Sequence, residues 1–302
     1  MQLSRETRQM PRQRTVLPIL VLYKCTLTDS AAYNTLLASS ASLNLSLISV
    51  YDNSPLRQVS AEEESHLLAY KHDPANGGVA AAYNWALDIA QSNGYAWLML
   101  LDQDTTLPLD FLQSSLEQVE KYLPKPIIVA LVPVVRSGGA VVSPKRVSFA
   151  RLRPLVDSST GIQSEEIMAI NSGTIIRCDF VRSIGGFNRA YWLDYLDHWL
   201  FRQVYAAGRK VVVSSCILDH NLTVQDYRNN VTSERYRSIL AGEASFITTH
   251  KPRFEIFVYL LHLLVRWVKM KVLRRPDIAS LTIAMIIRIA MHPTRSLEGN
   301  TE

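Results

Sequence analysis

Asp102 and Asp104, separated only by Gln103, follow directly on the apolar run Ala96–Leu101. A run this short, unbroken and bounded by turn-compatible residues predicts a strand covered on both faces of a parallel sheet. Carboxylates at the carboxyl end of such a strand lie where open α/β sheets bind ligands. Two of them can hold a hard divalent cation, and the cation can hold a diphosphate. The plainer use of the same residues is a polar turn with an Asp as helix N-cap. Other clusters along the chain decide between the two.

Tyr51-Asp52-Asn53-Ser54-Pro55 follows a second apolar run. Asp52 there is placed to accept hydrogen bonds from a base or ribose, and equally to close an Asx turn. Asn76-Gly77-Gly78-Val79 opens a helix with paired glycines, which lets backbone amides approach a phosphate closely. No Lys-Ser/Thr follows the glycines, so this is not a P-loop. Asn171-Ser172-Gly173-Thr174 interrupts an apolar run and either floors a site or forms a bulge. Gly185-Gly186-Phe187-Asn188 precedes Tyr191-Trp192-Leu193-Asp194-Tyr195-Leu196-Asp197-His198-Trp199. On a helix, Asp194 and Asp197 would share a face at i, i+3. Tyr191, Trp192 and Trp199 beside them offer apolar walls or a platform for a sugar ring, and equally a helix core. Asp219-His220-Asn221 puts a histidine among polar residues at another strand end, as a candidate metal ligand.

The elements that must position these groups alternate. Strands are expected at Val16–Tyr23, Leu45–Tyr51, Ala96–Leu101 and Ile127–Val134, with helices at Ala31–Ser40, Val79–Gln91 and Leu109–Tyr122. Gly94, Pro124 and Pro126 supply helix stops. This order implies a doubly wound, mostly parallel sheet with right-handed crossovers. Ser137–Pro154 reads as a loop or hairpin on the sheet's flank, and Ile167–Ile176 returns to the core. Tyr191–Ala206 reads as helical, Lys210–Val213 as one more strand, and the chain turns helical after Ser233.

The 302 residues suffice for one large α/β domain with a helical appendage, and the charge of +5 with pI about 9.1 is moderately basic. Cys25, Cys178 and Cys216 are odd in number and lack metal-type spacing. They fit a reducing cytoplasm rather than a disulfide framework. Arg5, Arg8, Arg12 and Arg14 precede Val16–Tyr23, but that run contains Pro18 and lacks a cleavage site, so it reads as the first strand rather than a signal peptide.

Taken in order, Tyr51-Asp52-Asn53-Ser54, Asn76-Gly77-Gly78-Val79-Ala80, Leu101-Asp102-Gln103-Asp104-Thr105, Asn171-Ser172-Gly173, Gly185-Gly186-Phe187, Leu193-Asp194-Tyr195-Leu196-Asp197 and Asp219-His220 resemble glycosyltransferase family 2, within it the rhamnosyltransferase-like members of bacterial polysaccharide pathways. The resemblance implies a GT-A fold, that is, a Rossmann-like mostly parallel sheet with helices on both faces. It also implies a nucleotide-sugar donor, a dTDP- or UDP-sugar with dTDP-rhamnose among the candidates, and inverting transfer to a hydroxyl of a saccharide or lipid-linked saccharide. Carried over, Asp52 would bind the nucleobase, Asp102 the ribose or diphosphate, and Asn76, Gly77, Gly78, Ser172 and Gly173 would complete the donor site. Asp104 and His220 would ligate Mg²⁺ or Mn²⁺. Asp197 matches the catalytic base and Asp194 the extra acid of the rhamnosyltransferase-like pattern. Trp199 stands where the family often has a second carboxylate, so Asp194 stays open as an alternative base. Tyr191, Trp192, Trp199 and Arg235 are the candidate acceptor contacts.

The expected organisation is a basic extension over 1–15, a catalytic domain over 16–240 and a helical region over 241–302. In the last, Phe254–Val268 and Ile278–Met291 are apolar and amphipathic, and Lys269, Lys271, Arg274 and Arg275 lie between them. That pattern suits the anionic inner leaflet of a membrane, and equally packing on the catalytic domain or on a second copy. The localisation expected is cytoplasmic and peripheral to the inner face of the cell membrane. Two rival functions remain. A nucleotidyltransferase would want a Gly-rich basic loop after the first strand, where Lys24-Cys25-Thr26-Leu27-Thr28-Asp29 has no glycine. A non-catalytic basic protein that binds membrane surface or nucleic acid would want a continuous basic stripe, whereas positive charge here gathers near the termini. Nucleic acid is not an expected partner.

Overall fold

The computed structural model describes residues 15–39, 48–148, 151–155, 160–220 and 231–291. Its centre is a sheet in which β1 (Val16–Leu22), β2 (Ser49–Asp52), β3 (Ala69–His72) and β4 (Trp97–Asp102) run parallel in the spatial order β3-β2-β1-β4. Every residue of β1 is buried, as the unbroken apolar run requires of a strand covered on both faces. Beyond β4 the sheet continues through β6 (Ile128–Ser137) and β13 (Lys210–His220), which are parallel to each other. Between β4 and β6 lies β12 (Ile175–Arg177), antiparallel to both. The largely parallel α/β sheet is therefore as expected, with one reversed strand that alternation alone does not reveal.

Helices cover both faces. α3 (Gly78–Ser92) and α6 (Leu196–Ala206) pack one core against Leu17, Ile19, Leu98 and Leu100. α1 (Ala31–Ser39) and α4 (Phe111–Tyr122) pack the other against Leu20, Leu22, Met99 and Leu101. Alternation of side chains along β1 and β4 thus feeds two separate cores. The short helix α2 (Ala61–Glu64) and strand β3 lie between β2 and α3, where no element was expected. α2 owes its start to a complete capping box between Ser60 and Glu63.

The Ser137–Pro154 region is the hairpin alternative: β7 (Ala140–Ser143) pairs with β6, while β8 (Lys145–Ser148) pairs with β9 (Arg151–Pro154). Two strands follow, β10 (Gly161–Ile162) against β13 and β11 (Ile167–Met168) against β8, the latter completing a three-stranded sheet. Within Ile167–Ile176 the chain leaves the strand path for a turn at Asn171–Gly173. The three cysteines are free thiols.

Three helices close the described chain: α7 (Ser233–His250), α8 (Arg253–Val272) and α9 (Pro276–Met291). They share a core of their own around Tyr236, Leu240, Leu263 and Ile278. α7 runs without a break across residue 240, so the boundary expected there falls inside a helix. Its Phe246 belongs to the α3–α6 core, which joins the helical region to the sheet. The basic extension at 1–14 lies outside the described residues.

Candidate active site

β4 ends at Asp102, and the next residues turn immediately into β5 (Thr105–Thr106). The side chain of Gln103 ties this turn to the end of β1, accepting from the Tyr23 amide at 2.7 Å and donating to the Tyr23 carbonyl at 3.2 Å. Gln103 is thus the spacer that holds two acids apart, fixed to the neighbouring strand. Asp102 accepts a short hydrogen bond from the hydroxyl of Ser172, and Ser172 is buried. Gly173 has φ +74°, and a Cβ there would fall on Leu218 and lie 3.0 Å from Pro133. The Ser172-Gly173 turn therefore serves the site by positioning Asp102, with a glycine that its positive φ and the close approach both require. Asp104 is exposed. β13 returns antiparallel to β5, with His220 opposite Thr105 in register. The backbone of the expected metal ligand thus lies beside Asp104; its side chain lies outside what the structure describes.

The Asn76-Gly77-Gly78 segment differs from the phosphate cradle expected of it. The Gly77 amide donates to the Asp73 carboxylate at 2.9 Å, the Gly78 amide to Asn53 Oδ1 at 3.2 Å and the Val79 amide to the Trp192 carbonyl at 3.0 Å. These amides are spent inside the protein. Asn76 and Gly78 both adopt positive φ, 54° and 78°. A Cβ on Gly78 would collide with the Trp192 carbonyl oxygen and indole, so the glycine is there to let Trp192 close over the helix start. The Trp192 indole donates in turn to the Asn76 carbonyl at 2.7 Å.

Asp52 is also committed. Its carboxylate accepts from the Ser54 amide at 3.0 Å, the Gln58 amide at 2.7 Å and the Tyr70 hydroxyl at 3.0 Å, and the residue is fully buried. The Asx-turn use describes this residue: it builds the loop after β2, and its carboxylate is not exposed for contact with a base. Asp73, which the sequence did not single out, does the same for the next loop. Burial alone would raise its carboxyl, but the Tyr51 hydroxyl and the Gly77 and Ala75 amides hold it below its ordinary value.

Asp194 and Asp197 do not share a helix face. α6 begins at Leu196, and Tyr195 before it is left-handed, with φ 67°. That conformation costs a non-glycine residue about 1–2 kcal/mol and turns Asp194 away from the helix. One face of α7 holds the turn in place. Arg235 forms a bidentate ion pair with Asp194, one nitrogen at 2.7 Å, and Ser238 donates to the same carboxylate at 3.1 Å. Gly242 lets the helix approach, its ideal Cβ lying 3.1 Å from the Asp194 carbonyl oxygen. Burial pushes the Asp194 carboxyl upward, against the pull of Arg235 and Ser238. Arg235, expected as an acceptor contact, is the ion-pair partner of Asp194 in the structure.

Asp197 sits in the first turn of α6, where Oδ1 accepts from the His198 amide at 2.8 Å. Tyr83 of α3, fully buried, feels the charge of both Asp197 and Asp102. Burial first, then the charges of Asp102 and Asp197, push this phenol well above its ordinary pKa. The strand-end acid and the helix-start acid therefore act on one buried hydroxyl, which finds no hydrogen-bond partner among the described residues. No simple periodicity marks Tyr83, since it reads as one more apolar position on α3. Asn84 beside it clamps the Gly186-Phe187 turn through bonds of 2.7 and 2.9 Å to the Phe187 carbonyl and amide. Of the remaining expected acceptor contacts, Tyr191 and Trp199 are core residues, 2% and 6% exposed, and Trp192 keeps 38% of its surface.

A divalent cation suits this donor set in one particular way. Among the described residues no group of three His, Cys, Asp or Glu side chains converges on a point. Asp102 and Asp104 are hard oxygen donors, and cations such as Mg²⁺ are commonly held by one or two carboxylates with substrate phosphates completing the shell.

The sequence profile of glycosyl transferase family 2 matches residues 30–184, just over half of the chain. None of the curated proteins matches it significantly. Among solved structures, S. aureus TarS aligns with 78% of this chain and 43% of its own, at 11% identity and TM-score 0.45. The mannosyltransferase PcManGT from Pyrobaculum calidifontis, in complex with GDP-Man and Mn2+, aligns over 92% of this chain and 75% of its own, at 15% identity and TM-score 0.48. TarS 1-349 in complex with UDP-GlcNAc aligns over 76% and 66%, at 14% identity and TM-score 0.48. This chain spans less than half the length of the longer TarS chain.

Proposed function

The chain belongs to glycosyl transferase family 2, and from that premise we propose that it is an inverting, metal-dependent transferase that moves a sugar from a nucleoside-diphosphate donor to a hydroxyl of a saccharide acceptor. The observation that carries the reading is the end of β4, where Ser172 holds Asp102, and Asp104 stands exposed beside the returning strand β13. Asp197, in the first turn of α6, is the acid assigned to the other side of that site. Asp102, positioned by Ser172, and Asp104 take the donor's ribose and diphosphate. Asp104, with His220 from the neighbouring strand, holds Mg²⁺ or Mn²⁺. A cation held by these residues would supply the charge that offsets the departing diphosphate.

Asp197 is the general base. The acceptor oxygen forms its bond to the anomeric carbon while its proton passes to Asp197. The bond from that carbon to the diphosphate oxygen breaks, and the nucleoside diphosphate leaves with the electron pair. Base and leaving group on opposite sides of the sugar give inversion. Asp194 is left out of this step because Arg235 and Ser238 already occupy its carboxylate. Asp52 and Asp73 act one layer back, shaping the loops after β2 and β3 that face the donor. Trp192 is the aromatic available to the acceptor. dTDP- and UDP-sugars, rhamnosyl donors included, are the donors to try first, in the setting of surface-polysaccharide assembly.

The acceptor is assigned to the inner membrane face, free or lipid-linked, on account of α8. No helix of the described chain is long and apolar enough to cross a membrane. Yet Phe254, Phe257, Leu261, Leu264, Val265 and Val268 form an exposed apolar stripe along α8. The exposed charges around it on α8, α9 and their connection are Arg253, Lys269, Lys271, Arg274 and Arg288, all basic. The acids Glu255 and Asp277 are paired, with Lys251 and Arg275. A second copy would set like charge against like, whereas an anionic leaflet complements both features.

The test is release of nucleotide from dTDP-, UDP- and GDP-sugars with Mn²⁺ or Mg²⁺, for the wild type and Asp197→Asn. Release from one donor, abolished by chelation and by the substitution, is the expected result. No release and no metal-dependent nucleotide binding with any donor overturns the reading.

A further inference from the structure

α6, α7, α8 and the three-stranded sheet enclose a cavity of about 460 Å³, within the size range of small-molecule sites. None of Asp102, Asp104 or Asp197 lines it. It begins one residue further along: His198, whose amide donates to Asp197, turns its ring into the cavity. That ring stacks on Tyr195 at 4.5 Å between centroids and meets Phe246 edge-on at 5.6 Å. Phe201, Tyr205 and Tyr259 extend the aromatic wall. Burial holds the His198 imidazole below its ordinary pKa, so the ring is neutral near pH 7 and offers both a donor and an acceptor.

The charged groups at the cavity exclude a phosphate site. Glu243 is held by Arg266 through bonds of 2.8 and 3.1 Å, and Lys251 by Glu255 at 3.1 Å. That leaves Glu166 and Arg202 without an ion pair among the described residues, and one cation in a lining that also carries a carboxylate does not make an anion trap. Flat aromatic faces with scattered carboxylate and imidazole groups fit a ligand with apolar C–H faces and many hydroxyls. α8 adds a direction: Glu255, Val258 and His262 line the cavity, while the same helix exposes its apolar stripe outward.

We propose that this cavity binds the saccharide portion of the acceptor, the sugar next to the attacked hydroxyl, delivered along α8. The inference rests on Asp197 being the base. Its test is separate from transfer, because binding is read with no donor present.

Saturation-transfer NMR on the full chain would use methyl glycosides and disaccharides of glucose, galactose, N-acetylglucosamine and rhamnose. Val258→Trp fills the cavity from α8, and Glu166→Ala removes an exposed carboxylate at its edge with little risk to folding, which a thermal melt checks for both. The expected result is binding of at least one saccharide to the wild type, weakened about tenfold or more by each folded variant. No saccharide signal, or affinity unaltered in the folded variants, overturns the cavity assignment. Donor cleavage by the wild type under those same circumstances would leave the transferase reading standing.

Discussion

Arg235 and Asp194, on α7 and in the turn before α6, clasp each other through both guanidinium nitrogens. The pair sorts the two candidate bases, because among the described residues it leaves Asp197 as the acid not tied to a cation. Asp197→Asn is expected to fold with wild-type stability and lose about 10²–10⁴-fold in turnover, the usual worth of a general base. Arg235→Ala leaves a mostly buried carboxylate without its cation and is expected to cost about 1–3 kcal/mol in stability. Thermal melts beside nucleotide-release rates separate the two effects. Equal loss of turnover in Asp194→Asn and Asp197→Asn at unchanged stability would return the choice to open.

Asp104 is exposed next to a fixed strand end, so its removal disturbs little structure. Calorimetric titration of Asp104→Ala with UDP, dTDP and GDP in the presence of Mn²⁺ is expected to show no metal-dependent binding. Its stability is expected to stay within about 0.5 kcal/mol of the wild type. Nucleotide binding that survives, still dependent on Mn²⁺, would move the metal elsewhere.

Gly78 and Trp192 are predicted to be coupled. Gly78→Ala adds a methyl group at positive φ against the Trp192 carbonyl and indole, at an expected cost of about 2 kcal/mol or more. Because the other four tryptophans stay in place, a red shift in tryptophan emission reads the displacement of Trp192. An unshifted spectrum with unchanged stability contradicts the packing described.

Asp73 links the site loop to pH. Its carboxyl is held below the ordinary 3.8, so the folded state binds this proton less readily than the unfolded chain does. The stabilisation is complete above that value and is lost as pH falls below it, through the folded-state pKa. Asp73→Asn is expected to remove that component and flatten the acid limb of a stability curve measured below about pH 4. A wild-type slope retained by the variant would show that Asp73 does not supply it.

Membrane contact through α8 makes an electrostatic and an apolar prediction. Vesicles containing phosphatidylglycerol should sediment the protein, and pure phosphatidylcholine vesicles should not. Binding should weaken as salt shortens the Debye length from about 10 Å at 0.1 M. Phe257→Asp together with Val265→Asp places charge in the stripe and should abolish sedimentation while leaving the chain folded. Dimerisation detected by sedimentation equilibrium, abolished by the same pair, would instead assign the stripe to a second copy.

The sequence by itself determined the parallel sheet, the helices on its faces and the strand-end position of Asp102 and Asp104. Apolar runs and their period carry that information locally, since an unbroken run as short as Val16–Leu22 suits a doubly covered strand better than a helix. Ordered motifs such as Leu101-Asp102-Gln103-Asp104 and Gly185-Gly186-Phe187 also carried the family resemblance. Only the tertiary structure decided how individual polar groups are spent. Asp52, Gly77, Gly78 and Arg235 all read as ligand contacts, yet each is satisfied inside the protein, Gly78 and Arg235 by partners from distant segments. Asp194 and Asp197, three apart in sequence, are separated by one left-handed residue that an arginine 41 positions away from Asp194 helps to hold. Tyr83, apolar by pattern, takes its importance from carboxylates on two other elements. A hydrogen bond or ion pair depends on which surfaces meet in space, and spacing along the chain records that only where the partners share an element.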